Sequence, residues 1–555
     1  MNQPYSATNQ RGVLAWIERT GNALPDPVFL FVYLILGVIV ISALAALFGV
    51  SETLGPEILS GMPDSQKARF GIGADGVITA QSLLSPGNLQ RLLVEMPKTF
   101  THFHPLGMVL TVMLGAGVAE RTGLFGTAMR AAVSNAPKYL LTPLVAFIAM
   151  MGNLAADAAY VVLIPLGAII YAAAGRHPIL GIAAAFAGVS GGFSANLLMG
   201  QLDALLLGIT SEAANILVED YPVNIAGNWY FIATMLFIYV PVIWYITDKV
   251  IEPKLGAWSG GTGEANAESA DAVIDTLSES DVEARQGLTD IEKTGLKKAG
   301  LALLAVCAVW AALALGPGTP LINEAACPTA ALAAGDCSVQ ARLTPFYQSL
   351  IAGFFTLFIV TGWVYGKAVG KVESHRDIVQ MMADAMKDMG YYLVLAFAAA
   401  HFVAVFNWSN LGLIFAIKGA AAIEASNLPL FAVLGVMVVF AGLLNLFVGS
   451  ASAKWAFLAP VIVPMLMLSG VSPEMATAAY RVGDGATNVI TPLNFYFPLV
   501  LTFAQRWVPG FGIGSLTAIM IPYSIWMLFT GLILTMIWAA LGVPLGGGAT
   551  VGFSM

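Results

Sequence analysis

Runs of about 20 apolar residues, the length that crosses a bilayer core of about 30 Å as a helix, recur along this 555-residue chain. They sit at about 27 to 50, 105 to 119, 179 to 212, 228 to 247, 299 to 316, 346 to 366, 389 to 417, 474 to 505 and 514 to 542. Only 10% of the residues are charged, against about 25% in a soluble domain, so the charge needed to wet a globular surface is missing. The expected class is an all-α integral membrane protein with nine transmembrane helices. A formal net charge of -8 excludes a nucleic-acid partner, whose binding is driven by phosphate neutralisation. The mixed, polar first residues contain no short apolar core with a small-residue cleavage site, so no removable signal peptide is expected.

Lys and Arg placement orients the spans. Arg11 and Arg19 precede the first, Arg121, Arg130 and Lys138 follow the second, and Lys367, Lys371 and Arg376 follow the sixth. All three clusters then lie on the cytoplasmic side, with a cytoplasmic N-terminus and multi-pass insertion in a bacterial inner membrane. The loop holding Cys327 and Cys337 becomes external, where the two could pair; Cys307 lies in an apolar run.

Two apolar stretches, 139 to 174 and 428 to 470, do not fit as spans. The arm from Tyr139 to Met151 makes a helix of roughly 20 Å, too short to cross, and Lys138 and Arg176 bracket the stretch with positive charge. A segment that enters and leaves on one side is a re-entrant hairpin. The longer 428 to 470 stretch reads the same way, or as two ordinary spans. The polar stretch 51 to 100 is external. Residues 253 to 296 carry Glu264, Glu268, Asp271, Asp275, Glu279, Asp281 and Glu283, and read as an acidic cytoplasmic linker serving solubility or regulation. It divides the chain into a first half, 1 to 252, and a second half, 297 to 555.

The halves share a grammar. GNLAADAAYVVLIPL (152 to 166) and GSASAKWAFLAPVIVP (449 to 464) each run from Gly through small residues, one charge and an aromatic to an apolar arm with Pro. GGFSANLLMGQLDALL (191 to 206) and GDGATNVITPLNFYFP (483 to 498) each hold a Gly-rich break, an Asn and a resumed apolar helix. Gly152 and Gly449 are 297 positions apart, and Asn196 and Asn488 are 292 apart. The first hairpin enters from inside and the second from outside, so the repeat is inverted about the membrane plane, as in many transporters. Lipid offers no hydrogen-bond partners, so unwound backbone survives only inside protein or along a wet cavity. Such breaks either build a binding centre or pack helices through small residues.

Charges within apolar runs are expensive, so each needs a reason. Asp203 lies in the second half of a broken helix with no obvious local partner, which suits ion or proton handling. Asp157 and Lys454 occupy equivalent hairpin positions. Arg481 and Asp484, three apart, are neighbours on one helical face and form either a structural bridge or a substrate or proton site. Trp455 either packs or stacks on an aromatic substrate, and His401 in AFAAAHFVAVF is either a hydrogen-bonded core residue or a relay. Freed oxygens of Asn153, Asn196, Ser450, Thr487 and Asn488, with Asp157 beside them, suit a bound Na⁺, while half-helix N-termini suit a carboxylate. Pro460, Pro464 and Pro492 kink or end helices. No HExxH or GxxxxGK[ST] motif is present, and in RVGDG Arg481 replaces the first Gly of a GxGD protease motif, so no enzyme and no resident ATP hydrolysis is expected.

The runs GNLAADAAYVVLIPL, GQLDALL, SAKWAFLAPVIVPM and YRVGDGATNVITPLNFYFPL closely resemble the p-aminobenzoyl-glutamate transporter (AbgT) family over nearly the whole chain. More remotely, TNVITPLN resembles the break of the divalent anion/sodium symporters. The resemblance implies a homodimer, each subunit with a dimerising scaffold and a moving core of two hairpins and two broken helices. It implies transport of p-aminobenzoyl-glutamate, or export of p-aminobenzoate-like compounds and sulfonamide antimetabolites. Matched motif by motif, it points to Asp203, Asn445, Ser452, Trp455, Pro473, Arg481, Asp484 and Pro492. The acidic linker and the Cys327 to Cys337 loop depart from a compact family pattern.

The expected function is a secondary carrier of a small aromatic carboxylate, coupled to Na⁺ or H⁺, with no other cofactor. Asp203 is the expected coupling group, Arg481 the carboxylate partner held by Asp484, and Trp455 the ring contact. The alternative is an anion channel that uses the same polar breaks as a filter.

Overall fold

A computed structural model describes residues 25–553 apart from 56–58, 60–61, 63, 74, 134–137, 156–157, 257, 259–287, 316–317, 326, 329–341, 492 and 495. Asp157, Pro492, Cys337, Arg11, Arg19 and the acidic run from Glu264 to Glu283 therefore lie outside the described residues, as does the side chain of Lys138. The described chain is mostly helical. Among the described residues, seven helices are long and apolar enough to cross a membrane: Pro27–Leu47, Trp229–Leu255, Asp290–Ala314, Thr344–Ala368, Gly390–Trp408, Ala451–Leu468 and Ile513–Leu541. Two bent pairs raise the number to nine if each counts as one span.

Several boundaries differ from the sequence reading. The run at 105 to 119 continues to Arg121 and then turns through 62° into a second helix that reaches Val133, with Gly123 at φ +84° in the joint. The run at 389 to 417 is two helices, Gly390–Trp408 and Leu411–Ala425, parted at Asn410, which holds the left-handed conformation at φ 60°. Asn tolerates that conformation because its short side chain bonds locally; here Asn410 Nδ2 donates to the carbonyls of Phe70 (3.0 Å) and Thr79 (2.8 Å). Leu411–Ala425 then folds back on Leu430–Asn445 at 120°. The fifth span starts at Asp290 rather than 299, because Thr289 and Glu292 form a reciprocal cap that carries the helix out past its apolar run. The polar stretch 51 to 100 also departs from an all-α reading: Ser51–Thr53 pairs antiparallel with Val77–Thr79.

Both predicted breaks are present. In the first half, the fully buried helix Pro178–Phe186 ends in a widened π turn, Ala187–Gly191, and helix resumes at Gln201–Ala214. In the second half, Pro473–Thr487, also buried along its whole length, stops before a non-helical stretch and resumes at Phe497–Trp507. Residues 139 to 174 are not one rod: Leu141–Met151 gives way to a 3-10 turn, Gly152–Ala155, before Ala158–Ala173. The far ends of these arms meet, with Tyr171 Oη donating to Thr142 Oγ1 at 2.7 Å. Arg176 closes the same corner, binding both oxygens of Glu252 (2.8 and 2.7 Å) and Asp248 Oδ1 (2.5 Å). In the later stretch, Leu430–Asn445 and Ala451–Leu468 flank a break at 446–450.

Of three buried apolar clusters among the described residues, two organise most of the packing and the third is small, at Val118, Val372 and Ile378. The larger joins the broken helices, the segments 141–173 and 430–468, and helices Pro27–Leu47, Gly390–Trp408 and Ile513–Leu541. The second is built on helices His104–Arg121 and Thr344–Ala368, around Val112, Phe354, Phe358 and Tyr365. A cavity of about 390 Å³, lined by Thr127, Arg130, Val161, Glu292 and Tyr365 among others, lies between Ala158–Ala173 and the second group. Cys307 is a free, exposed cysteine, and Cys327 is disulfide-bonded.

Candidate functional site

Buried charge marks the centre. Arg481, 1% exposed, stands on Pro473–Thr487 and donates from Nη1 to Asp203 Oδ1 at 2.6 Å, on Gln201–Ala214. Asp203 sits in the first turn of its helix, where its other oxygen accepts from the Gly200 amide at 2.8 Å. That amide contact and the dipole of the helix start both direct partial positive charge at the Asp203 side chain. The sequence reading gave Asp203 no partner and paired Arg481 with Asp484; the structure corrects both. Three-residue spacing makes Arg481 and Asp484 neighbours on the helix, but the two side chains take partners on different helices, Arg481 on Gln201–Ala214 and Asp484 on Ala451–Leu468.

Asp484 Oδ1 is paired with the Lys454 ammonium, and both residues are almost wholly buried. Lys454 Nζ also donates to Asn445 Oδ1. Asn445, 0% exposed, is the hub: its Nδ2 faces the Asp484 carbonyl (2.8 Å), Thr487 Oγ1 (2.9 Å) and Asn488 Oδ1 (2.8 Å). One amide group thus binds the end of helix Leu430–Asn445 to the break after Thr487. Arg481 Nε and Asp484 Oδ2 are buried with no partner among the described residues.

Trp455 is covered. Its ring stacks on Tyr480 at 4.5 Å between centroids, and its Nε1 donates to Thr210 Oγ1 at 2.9 Å. Thr210 Oγ1 lies 2.6 Å from Thr477 Oγ1, and Thr477 donates to the carbonyl of Pro473 at 2.8 Å. Ser450 caps helix Ala451–Leu468 by accepting from Ala453 N at 3.3 Å, and lies 3.4 Å from Ser452 Oγ.

Of the residues read as cation ligands, Thr487 and Asn488 gather at Asn445, whereas Asn153 and Asn196 meet elsewhere. Both donate to the Met150 carbonyl, at 3.0 and 3.3 Å, tying the turn after Met151 to the first break. The two breaks are themselves joined: Asn494 Nδ2 donates to Ser190 Oγ at 2.9 Å and to the Asn488 carbonyl at 3.2 Å. Oxygen donors of the Asn445 cluster suit a Na⁺ ion by type, but the Lys454 ammonium already stands among them. His401 donates from Nδ1 to the Phe397 carbonyl at 2.7 Å, on its own helix.

Sequence reasoning missed Glu474. It is 2% exposed and lies seven residues before Arg481 and ten before Asp484, a spacing that sets all three on one helical face. That spacing was the available signal.

Comparison with known proteins places these elements. The model of the AbgT putative transporter family matches residues 12–553. The p-aminobenzoyl-glutamate transport protein of Escherichia coli (strain K12) is 34% identical over 549 residues, covering 98% of this chain and 97% of that protein. Two solved structures are similar across nearly the whole chain. The Alcanivorax borkumensis YdaH transporter superposes with a TM-score of 0.81 at 39% identity, covering 94% of this chain and 100% of the other. Neisseria gonorrhoeae MtrF, described among antimetabolite efflux pumps, superposes with a TM-score of 0.84 at 38% identity, covering 97% and 100%.

Proposed function

This chain belongs to the AbgT family, a family of transporters and not of enzymes, and from that premise we propose a secondary active carrier of aromatic carboxylates. The substrate class is p-aminobenzoyl-glutamate or p-aminobenzoate-like compounds, extending to export of sulfonamide antimetabolites. The relative that carries p-aminobenzoyl-glutamate and the neighbour described as an antimetabolite efflux pump support that class. The observation that carries the mechanism is the Arg481–Asp203 pair, which joins the two halves of the chain at 2.6 Å and leaves Arg481 Nε unpartnered. A guanidinium offers more donors than one carboxylate consumes, so a substrate carboxylate binds it by sharing or displacing Asp203. Lys454 and Asp484 neutralise each other beside it, so the centre stays near zero charge until the substrate arrives.

The remaining parts of the reading follow from this. Trp455 receives the substrate ring once the stack with Tyr480 opens. The halves 1–252 and 297–555 form an inverted repeat around the linker 253–296, with re-entrant hairpins at 139–174 and 428–470 and nine spans. The hairpins and broken helices move as a core against a dimerising scaffold, in an elevator-like step. The protein is a homodimer in a bacterial inner membrane with its N-terminus cytoplasmic. The coupling ion is H⁺ or Na⁺, and a Na⁺ at the Thr487–Asn488 oxygens would have to displace Lys454. Asn153, Asn196, Ser450 and Asp157 remain the other proposed cation ligands.

The test is counterflow of labelled p-aminobenzoate and p-aminobenzoyl-glutamate in proteoliposomes, with Na⁺ and pH varied independently. A carrier shows saturable exchange and accumulates substrate only under an imposed ion gradient. Non-saturating current without a counter-ion would make it a channel.

A further inference from the structure

Helix Pro473–Thr487 carries Glu474, Arg481 and Asp484 on one face, and two of these lie against an opposite charge. Glu474 does not. Among the described residues, no Lys, Arg or His nitrogen comes within 4.0 Å of its carboxylate, although the residue is 2% exposed. Its one hydrogen bond from another side chain comes from Tyr221 Oη, at 3.3 Å. The first turn of a helix favours an anion, but a helix end and one long hydrogen bond do not replace the hydration that full burial removes.

Asn228 holds the Glu474 backbone carbonyl through Nδ2 at 2.8 Å and so fixes the end of the 215–228 loop to the start of this helix.

Three segments cover the group. The turn at Gly470–Ser472 is strapped by residues 545–553: Ser472 N donates to the Val551 carbonyl at 2.9 Å and Phe553 N to the Gly470 carbonyl at 2.9 Å. The loop 215–228 joins the same strap, with Asn224 Nδ2 on the Gly547 carbonyl at 2.9 Å and Tyr221 edge-on to Phe553. The ionisable groups on the surrounding elements are Glu219, Asp220 and Tyr221 in the loop, Asp203 and Glu212 on Gln201–Ala214, and Lys454 on Ala451–Leu468. On its own helix they are Tyr480, Arg481 and Asp484; the strap contributes none. Both cations are committed, Arg481 to Asp203 and Lys454 to Asp484. One turn inward from Glu474 along the helix, Thr477 Oγ1 lies 2.6 Å from Thr210 Oγ1, which accepts from Trp455 Nε1 at 2.9 Å.

We propose that Glu474 is a proton-binding residue of the transport cycle. It carries a proton while strap, loop and helix are packed as described. It hands that proton to water, becoming a carboxylate, when strap and loop part and the group is hydrated. The inference rests on the carrier reading and fixes H⁺ as a coupled ion.

The experiment uses full-length protein in proteoliposomes, wild type beside E474Q, E474D and Y221F. Each is measured for labelled p-aminobenzoyl-glutamate counterflow, for uptake driven by an imposed pH gradient, and for proton release on substrate addition, read with a pH dye in weakly buffered micelles. In E474Q the ratio of pH-driven uptake to counterflow falls at least tenfold and proton release disappears. E474D keeps both with a shifted pH midpoint, and Y221F shifts the midpoint alone. An E474Q protein that keeps more than one tenth of the ratio overturns the proposal. If E474Q cannot be purified, an E474D midpoint equal to wild type overturns it. Wild-type counterflow that ignores a pH gradient refutes the role of Glu474 alone, whereas absent wild-type counterflow refutes the carrier reading first.

Discussion

Arg481 and Asp203 lie 278 residues apart in sequence and 2.6 Å apart in space. Their presence within apolar runs marked each as costly, and cost is legible from sequence because lipid and protein interiors both penalise lone charge. The choice of partner was not legible, since only helical neighbours can be counted along a chain and the true partners come from the other half. Lys454 and Asp484 lie 30 positions apart within the second half, beyond helical spacing, so their pairing was not legible either. Removing one partner of a buried pair strands the other, at a cost of about 3–5 kcal/mol. R481Q is therefore expected to lower the melting temperature in detergent sharply, and R481K less so because the charge survives while the planar fork is lost. Fluorescence-detected thermal melts on the purified variants check the order.

Breaks in helices were readable because Gly, Asn and Pro announce them, and both central interruptions lie where those residues cluster. The joint at Asn410 escaped notice: one residue in a left-handed conformation, with no Pro and only Gly412 nearby, leaves the apolar run intact. The early start at Asp290 escaped for the opposite reason, because a charged, water-exposed turn carries no apolar signal. Close packing sets another element-scale constraint. A Cβ on Gly483 would lie 2.0 Å from the Val438 carbonyl oxygen and 2.8 Å from Gly442 N, backbone atoms with no freedom to step aside. G483A should force helices Pro473–Thr487 and Leu430–Asn445 apart at a cost of about 1–3 kcal/mol or more. G37A, on Pro27–Leu47, meets nothing within 4 Å and should melt like wild type. At the start of Asp290–Ala314, burial alone would raise the Glu292 pKa, but the Thr289 amide and hydroxyl and the Arg130 guanidinium hold it below the usual carboxylate value of 4.5. A lowered acid stabilises above its unfolded pKa and loses that contribution as pH falls through the folded one. E292Q should therefore melt below wild type at pH 7, and the gap should close as the pH falls below the usual carboxylate value and on through the lowered one. Paired melts across that range check the sign.

At the scale of the molecule, family membership, the apolar runs and the two broken helices were all open to sequence reasoning. The meeting of the breaks through Ser190 and Asn494, and the joining of the 215–228 loop to the strap through Asn224 and Gly547, were not, because both depend on contacts between segments hundreds of residues apart. The whole account turns on the cation at position 481 serving a substrate and not the fold alone. Labelled p-aminobenzoyl-glutamate counterflow by the double variant D203N/R481Q separates those roles, since it removes both charges together and strands neither. The account predicts a monodisperse, folded protein whose counterflow falls at least a hundredfold below wild type. Counterflow within threefold of wild type would contradict it.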